Sequence, residues 1–156
     1  MKVAAAIAGS VDRTIMFTAT KHMADRLAKE LGQLGVTAAA IHGDLRQNHR
    51  EKALNDFGSG KLSVLVATDV AARGIHVDEV EVVIHYDPPS DHKTYLHRSG
   101  RTARAGSDGI VATLVMWNEE LEVRRLQKRV GLDLPVVEMF SNDERLTDLA
   151  GWDPLA

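Results

Sequence analysis

Two short windows of this 156-residue chain hold its densest positive charge: Lys93, Arg98, Arg101 and Arg104 in one, Arg124, Arg125, Lys128 and Arg129 in the other. A helical face accounts for the second window, but Gly100 and Gly106 interrupt any such pattern in the first. Arg101 and Arg104 are one helical turn apart, so both can address one phosphate. A guanidinium group is planar, permanently charged and forked, which suits it to phosphate oxygens better than an ammonium. Transfer of a phosphoryl group needs little covalent help from a protein; it needs positive charge placed where charge develops.

Hydrophobic periodicity supplies the elements that must position these residues. Thr14 to Thr18 reads as a strand, and Thr20 caps a following helix with Met23, Leu27, Leu31 and Leu34 at helical spacing. Val36 to Ile41 reads as a second strand, after which Asp44 and Gln47 are expected to form a capping-box-like pair opening a helix that Gly58-Ser59-Gly60 stops. Ser63 to Ala67 and Val80 to Tyr86 are near-continuous apolar runs, the pattern of strands buried on both faces. A short helix is expected between them, because parallel strands need a crossover of about a dozen residues. Pro88-Pro89 ends the fourth strand, Ser90 is the expected cap of the next helix, and Ile110 to Met116 reads as a fifth strand. Asn118 is the expected cap of a last helix that runs from acidic Glu119-Glu120 to a basic end, with Gly131 just beyond. Beyond Leu132 the pattern weakens to a short strand at Pro135 to Met139 and a short helix around Glu144 to Leu149.

Strands alternating with helical crossovers predict an α/β fold, a parallel sheet of about five to six strands with helices on both faces. Thr18 to Lys21, His42-Gly43-Asp44, Thr68-Asp69 and His97 to Arg104 all follow strand ends. They are therefore expected on the carboxyl edge, where open α/β sheets bind ligands.

Composition excludes several classes. With 44% hydrophobic and 26% charged residues the chain is an ordinary globular sequence, long enough for one core. No apolar run approaches the roughly 18 residues of a membrane span, and a cytoplasmic location is the expectation. Residues 1–12, ending near Gly9-Ser10, read as a boundary or linker remnant, and 13–156 as one domain. A net charge of −3 argues against a protein that grips nucleic acid by charge alone. The absence of cysteine removes thiolate chemistry, and the seven histidines show no metal-binding spacing. Gly58-Ser59-Gly60-Lys61 imitates the tail of a phosphate loop, but Leu62 stands where a hydroxyl is required, and the segment ends a helix instead of opening one. His85, inside a buried run, reads as a satisfied core histidine.

Four stretches together resemble a known family. His97-Arg98-Ser99-Gly100-Arg101-Thr102-Ala103-Arg104-Ala105-Gly106 is similar to the sixth helicase motif of the DEAD-box RNA helicases. Val66 to Ile75, containing Thr68-Asp69 and Arg73-Gly74, resembles the fifth. His42-Gly43-Asp44 with Gln47 and Arg50 resembles the region after the fourth, and Ile15 to Lys21 the fourth itself. The resemblance covers about residues 13 to 117 in the right order. It implies a RecA-like C-terminal domain that shares an ATP site with an absent N-terminal domain, the magnesium ion being held by that absent domain. Arg104 would be the arginine finger and Arg101 its neighbour on the terminal phosphate, with Gly74 and His76 on the nucleotide side. His76 stands where the family usually has an aspartate that accepts from the ribose; histidine can still bond a hydroxyl but carries no fixed negative charge. His97, Arg98 and Asp69 would meet the other domain, and Thr20, Gln47, Arg50 and Thr68 would contact the RNA backbone. Thr20, Gln47 and Thr68 also make sense as caps or capping-box members, and Arg50 as an exposed helix arginine. The implied activity belongs to the parent, ATP-driven local unwinding of an RNA duplex, and the isolated domain is expected to be inactive. The other reading is a non-catalytic RNA-binding or interaction module of the same fold.

Overall fold

A computed structural model describes residues 1–73, 77, 80–102 and 109–156. Five parallel strands, β1 (Thr14–Thr18), β2 (Ala38–Ile41), β3 (Val64–Thr68), β4 (Val82–His85) and β5 (Ile110–Thr113), form one sheet in the order β2-β3-β1-β4-β5. The helices are α1 (Lys2–Ala8), α2 (Lys21–Gln33), α3 (Gln47–Gly58), α4 (Asp69–Ala72), α5 (His92–Ser99) and α6 (Glu120–Arg129).

Strand periodicity divides the core between the two faces. Ile15, Phe17, Leu65, Ala67 and Val83 pack on one face with Ala53 and Phe57 of α3 and Ala71 and Ala72 of α4. Their strand neighbours Met16, Val64, Val66, Val82 and Ile84 pack on the other with Ala24, Leu27 and Leu31 of α2 and Ala4, Ile7 and Ala8 of α1. Burial of both faces is why the strands read as continuous apolar runs. The short helix expected in the third crossover is α4, and Gly131 past α6 takes a positive φ of 77°, a conformation glycine adopts without strain.

Several local expectations are corrected. Residues 1–12, read as a linker, carry a packed helix, because Ala4, Ile7 and Ala8 bury one face of α1 in the core it shares with α2 and Leu146. The Asp44–Gln47 capping pair does not form: α3 starts at Gln47, its cap position is Arg46, and Asp44 lies too far upstream. Asp44 instead pairs with Lys21 at 2.8 Å, and that hydrogen bond and charge hold its carboxyl below the usual range. Asp91 caps α5 in place of Ser90, its carboxylate accepting from the Thr94 amide at 2.7 Å. A carboxylate makes a stronger, charge-assisted cap than a hydroxyl. Before α6 the cap position is Glu119, not Asn118, and the Glu119 carboxylate accepts from the Met116 amide at 2.9 Å. Pro135 to Met139 forms no strand, and the terminal helix is a pair of 3-10 turns, Glu144–Thr147 and Leu149–Gly151.

Candidate functional site

The carboxyl ends of β3, β1 and β4 gather most of the polar residues singled out above. Thr68 ends β3 and caps α4, its Oγ1 accepting from the Ala71 amide at 3.4 Å. That bond uses an oxygen lone pair, so the hydroxyl proton is left to donate outward. Asp69 follows at once and forms a two-pronged ion pair with Arg98 of α5, at 2.7 Å to Nε and 2.9 Å to Nη2. The third guanidinium nitrogen of Arg98 donates to the Asp87 carbonyl at 2.7 Å, and the group lies over the Phe17 ring at 5.2 Å. Arg98 is thus buried with every nitrogen engaged. Expected to bridge to an absent domain, it is held by its own domain and fastens α5 to β3 and β4.

Arg101 lies one turn beyond Arg98 on the segment that leaves α5. Its Nη2 donates to the Ala72 carbonyl in the last turn of α4 at 3.1 Å. The buried hydroxyl of Thr102 donates to the Val80 carbonyl, which ties that segment to the entry of β4. A small cleft results, lined by Phe17, Asp69, Ala72, Arg73, Thr94, His97, Arg98 and Arg101. Among the described residues that line it, the one carboxylate, Asp69, is paired with Arg98, and Arg73 and Arg101 add positive charge that suits it to an anion such as a phosphate chain. His97, in the last turn of α5, is exposed beside it. Gly74, His76 and Arg104 lie outside the described residues.

The residues expected at nucleic acid divide into two groups. Thr20, exposed at the end of β1, accepts from the Met23 amide at 3.1 Å and so is a cap, as Thr68 is. Gln47 and Arg50 sit instead on the first turn of α3. Gln47 is exposed and donates to Glu51 at 3.3 Å, whereas Arg50 is half-buried and its Nε has no hydrogen-bond partner among the described residues.

Beneath the cleft, His85 corrects one expectation. Its Nδ1 bonds the Thr113 hydroxyl at 3.1 Å and its ring meets Tyr95 edge to face, but Nε2 has no partner among the described residues. It is a half-satisfied core histidine. Burial first, and the nearby Arg98 charge second, push its pKa down to about 3, so it is neutral. Asp87 was missed altogether: its carboxylate accepts from the Ala19 amide at 2.7 Å, tying β4 to the turn that carries Thr20. The signal was there, since Asp87 directly follows a strand at the carboxyl edge, but Pro88-Pro89 made the segment read only as a terminator.

This arrangement matches known proteins. Residues 2–106 match the family model for the helicase conserved C-terminal domain. The chain is 48% identical over 122 residues to the ATP-dependent rRNA helicase RRP3 of Kluyveromyces lactis, covering 78% of this chain and 25% of that protein. It is 42% identical over 130 residues to the DEAD-box ATP-dependent RNA helicase 53 of rice, Oryza sativa, covering 81% and 21%. The chain therefore spans about a quarter of the length of these relatives. Among solved structures it superposes on the Escherichia coli DEAD-box protein SrmB, in a complex with the regulator of ribonuclease activity A, with a TM-score of 0.79 at 33% identity, covering 87% of this chain and 84% of that one. On Saccharomyces cerevisiae Dbp5 bound to RNA and ADP BeF3 the TM-score is 0.80 at 31% identity, covering 94% and 40%. Among the described residues no helix is long and apolar enough to cross a membrane. A parallel RecA-like sheet, Thr68, Asp69, Arg98 and Arg101 gathered at its carboxyl edge and these matches together make the chain a member of the helicase conserved C-terminal domain family, the C-terminal domain of a DEAD-box RNA helicase.

Proposed function

We propose that this domain supplies the arginine half of an ATP-dependent RNA motor whose other half, an N-terminal RecA-like domain of the same parent chain, binds ATP with its magnesium ion. ATP supplies the transferable phosphoryl group. Arg101 and Arg104 stabilise the charge that develops on it, Arg104 as the finger, while Gly74 and His76 lie along the nucleotide. Thr20, Gln47, Arg50 and Thr68 hold the RNA backbone, contacts that position nucleic acid without reading its sequence. His97 is the exposed member of the interdomain set, and the Asp69–Arg98 pair anchors the helix behind it. Closure of the two domains on ATP and RNA then strains a short duplex apart.

One observation carries this reading. Asp69 is the residue next to Thr68, and its two-pronged pair with Arg98 binds a proposed RNA contact to the helix that leads into Arg101. This link supports reading the proposed RNA and nucleotide contacts as parts of one edge.

The isolated chain is expected to show no ATP hydrolysis with or without RNA, and to bind single-stranded RNA weakly, with affinity falling steeply as salt is raised. Phosphate release and fluorescence anisotropy on this chain test both. Turnover abolished by Arg104→Ala would overturn the division of labour. Tight, salt-resistant or sequence-selective RNA binding would favour an autonomous RNA-binding module, in which the arginines serve RNA phosphates alone.

A further inference from the structure

We propose that Asp87 is a positioning residue for RNA binding, one that sets the β1–α2 turn so that Thr20 meets the backbone; the proposal rests on the RNA-contact reading above.

The turn is short and exposed at Ala19 and Thr20, yet it is tied at two points. Buried Thr18 donates its hydroxyl to the Thr20 carbonyl at 3.1 Å, and the Ala19 amide donates to the Asp87 carboxylate at 2.7 Å. Asp87 is itself held from both sides. Its amide, like that of Tyr86, donates to the Phe17 carbonyl, at 3.3 Å and 3.0 Å, which extends the β4–β1 pairing past the end of β4. Its carbonyl accepts from Arg98, which Asp69 locks in place. Pro88 restricts the Asp87 backbone to extended conformations. The carboxylate is therefore placed in advance, and it decides where the turn lies.

An exposed amide could bond water at little cost. A carboxylate in this position also repels a polyanion passing over Thr20 and Thr68. Geometry and charge thus make opposite predictions for removal of the acid. If Asp87 only adds negative charge, its loss leaves RNA affinity unchanged or raises it; if it positions Thr20, its loss lowers affinity although a repulsive charge has gone.

The test is fluorescence anisotropy of a labelled oligouridylate titrated with this chain at low salt, comparing Asp87→Ala, Asp87→Asn, Thr20→Ala, Thr68→Ala and the double variant of Asp87 and Thr20 to alanine. Asp87→Ala is expected to weaken binding by about five- to tenfold, the net scale of one ordinary hydrogen bond. Asp87→Asn keeps an oxygen acceptor without the charge and is expected to bind at least as tightly as the parent sequence. The double variant should be no weaker than Thr20→Ala, because Asp87 acts through that residue. Unchanged or tighter binding by Asp87→Ala, or full additivity in the double variant, overturns the proposal. Loss in Thr68→Ala without loss in Asp87→Ala sinks this inference alone, whereas no loss in either sinks the RNA-contact reading itself. Should Asp87→Ala not fold, the wild-type chain still decides by NMR: the Ala19 and Thr20 amide resonances must shift when RNA is added, and if they stay fixed the proposal is wrong.

Discussion

The two basic windows of this chain hold the same kinds of residue, four in twelve positions against four in six, and the arginines the structure describes in them meet opposite fates. On α6, Arg124 and Arg125 remain 50% and 65% exposed and pair with Glu120 and Glu122 on their own helix. At the sheet edge, Arg98 is 3% exposed and pairs with Asp69, twenty-nine residues away. Water and salt screen the first pair of bridges, while the second lies in a medium where charge interactions are strong and unpaired charge is costly. Charge density in a sequence therefore says little about charge function; the packing around each guanidinium decides it.

The most severe way to break this contrast acts on catalysis in the two-domain parent. Arg104→Ala is expected to leave ATP binding nearly intact and to cut hydrolysis by about 10³ or more, the scale of a lost arginine finger. Steady-state turnover beside nucleotide affinity checks the split, and equal losses in both would deny Arg104 a transition-state role. Arg124→Ala in the same parent should change neither.

Stability gives the next largest effect. Arg98→Ala strands Asp69 and removes the contact over Phe17, and it should destabilise the domain by about 3 kcal/mol, the low end for a broken buried pair because Asp69 keeps part of its exposure. Urea unfolding followed by circular dichroism measures this. A loss below about 1 kcal/mol would place the pair with the surface bridges.

The histidine beneath Arg98 sharpens the comparison through pH. Its folded pKa of about 3 lies below the ordinary value of 6.5, so the unfolded chain takes up the proton first as pH falls. The stabilisation from keeping His85 neutral is complete above pH 6.5 and is lost progressively toward pH 3, by about 1.4 kcal/mol per unit. Between pH 6.5 and 5 most carboxylates stay ionised, so urea midpoints in that window should fall in the wild type and fall less in His85→Leu. Parallel slopes would show that His85 is not the group responsible.

The smallest effect belongs to the other window. Removing Arg124 and Arg125 together should change unfolding free energy by less than about 1 kcal/mol, and raised salt should erase even that. A larger, salt-resistant loss would mean that α6 carries its charge in a buried setting after all.

Much of this was legible in the residues. The apolar runs at β3 and β4, the caps Thr20 and Thr68 and the glycine after α6 depend on local preferences that act over a few residues, and each is found where the pattern put it. The spacing of Thr68-Asp69 and Arg98 to Arg101 also marked the edge at which function was to be sought. The cap at Ser90 was misread because a neighbouring carboxylate, Asp91, competes one residue away, and the one at Asn118 because α6 starts a residue later, at a cap position, Glu119, whose side chain bonds the Met116 amide instead of the helix. Helix α1 was missed because a run of alanines has no amphipathic signal until a sheet face exists for it to cover.

What residues alone determined, then, was the order of the elements and the chemistry available at their ends, since both follow from local periodicity and side-chain type. Partnership was decided by the tertiary structure. Asp69 with Arg98, Asp87 with Ala19 and Arg101 with the Ala72 carbonyl join residues twenty-nine, sixty-eight and twenty-nine positions apart. No local rule reaches that far; parallel pairing of β1 with β3 and β4 brings three strand ends side by side, and only then can one buried arginine hold two of them.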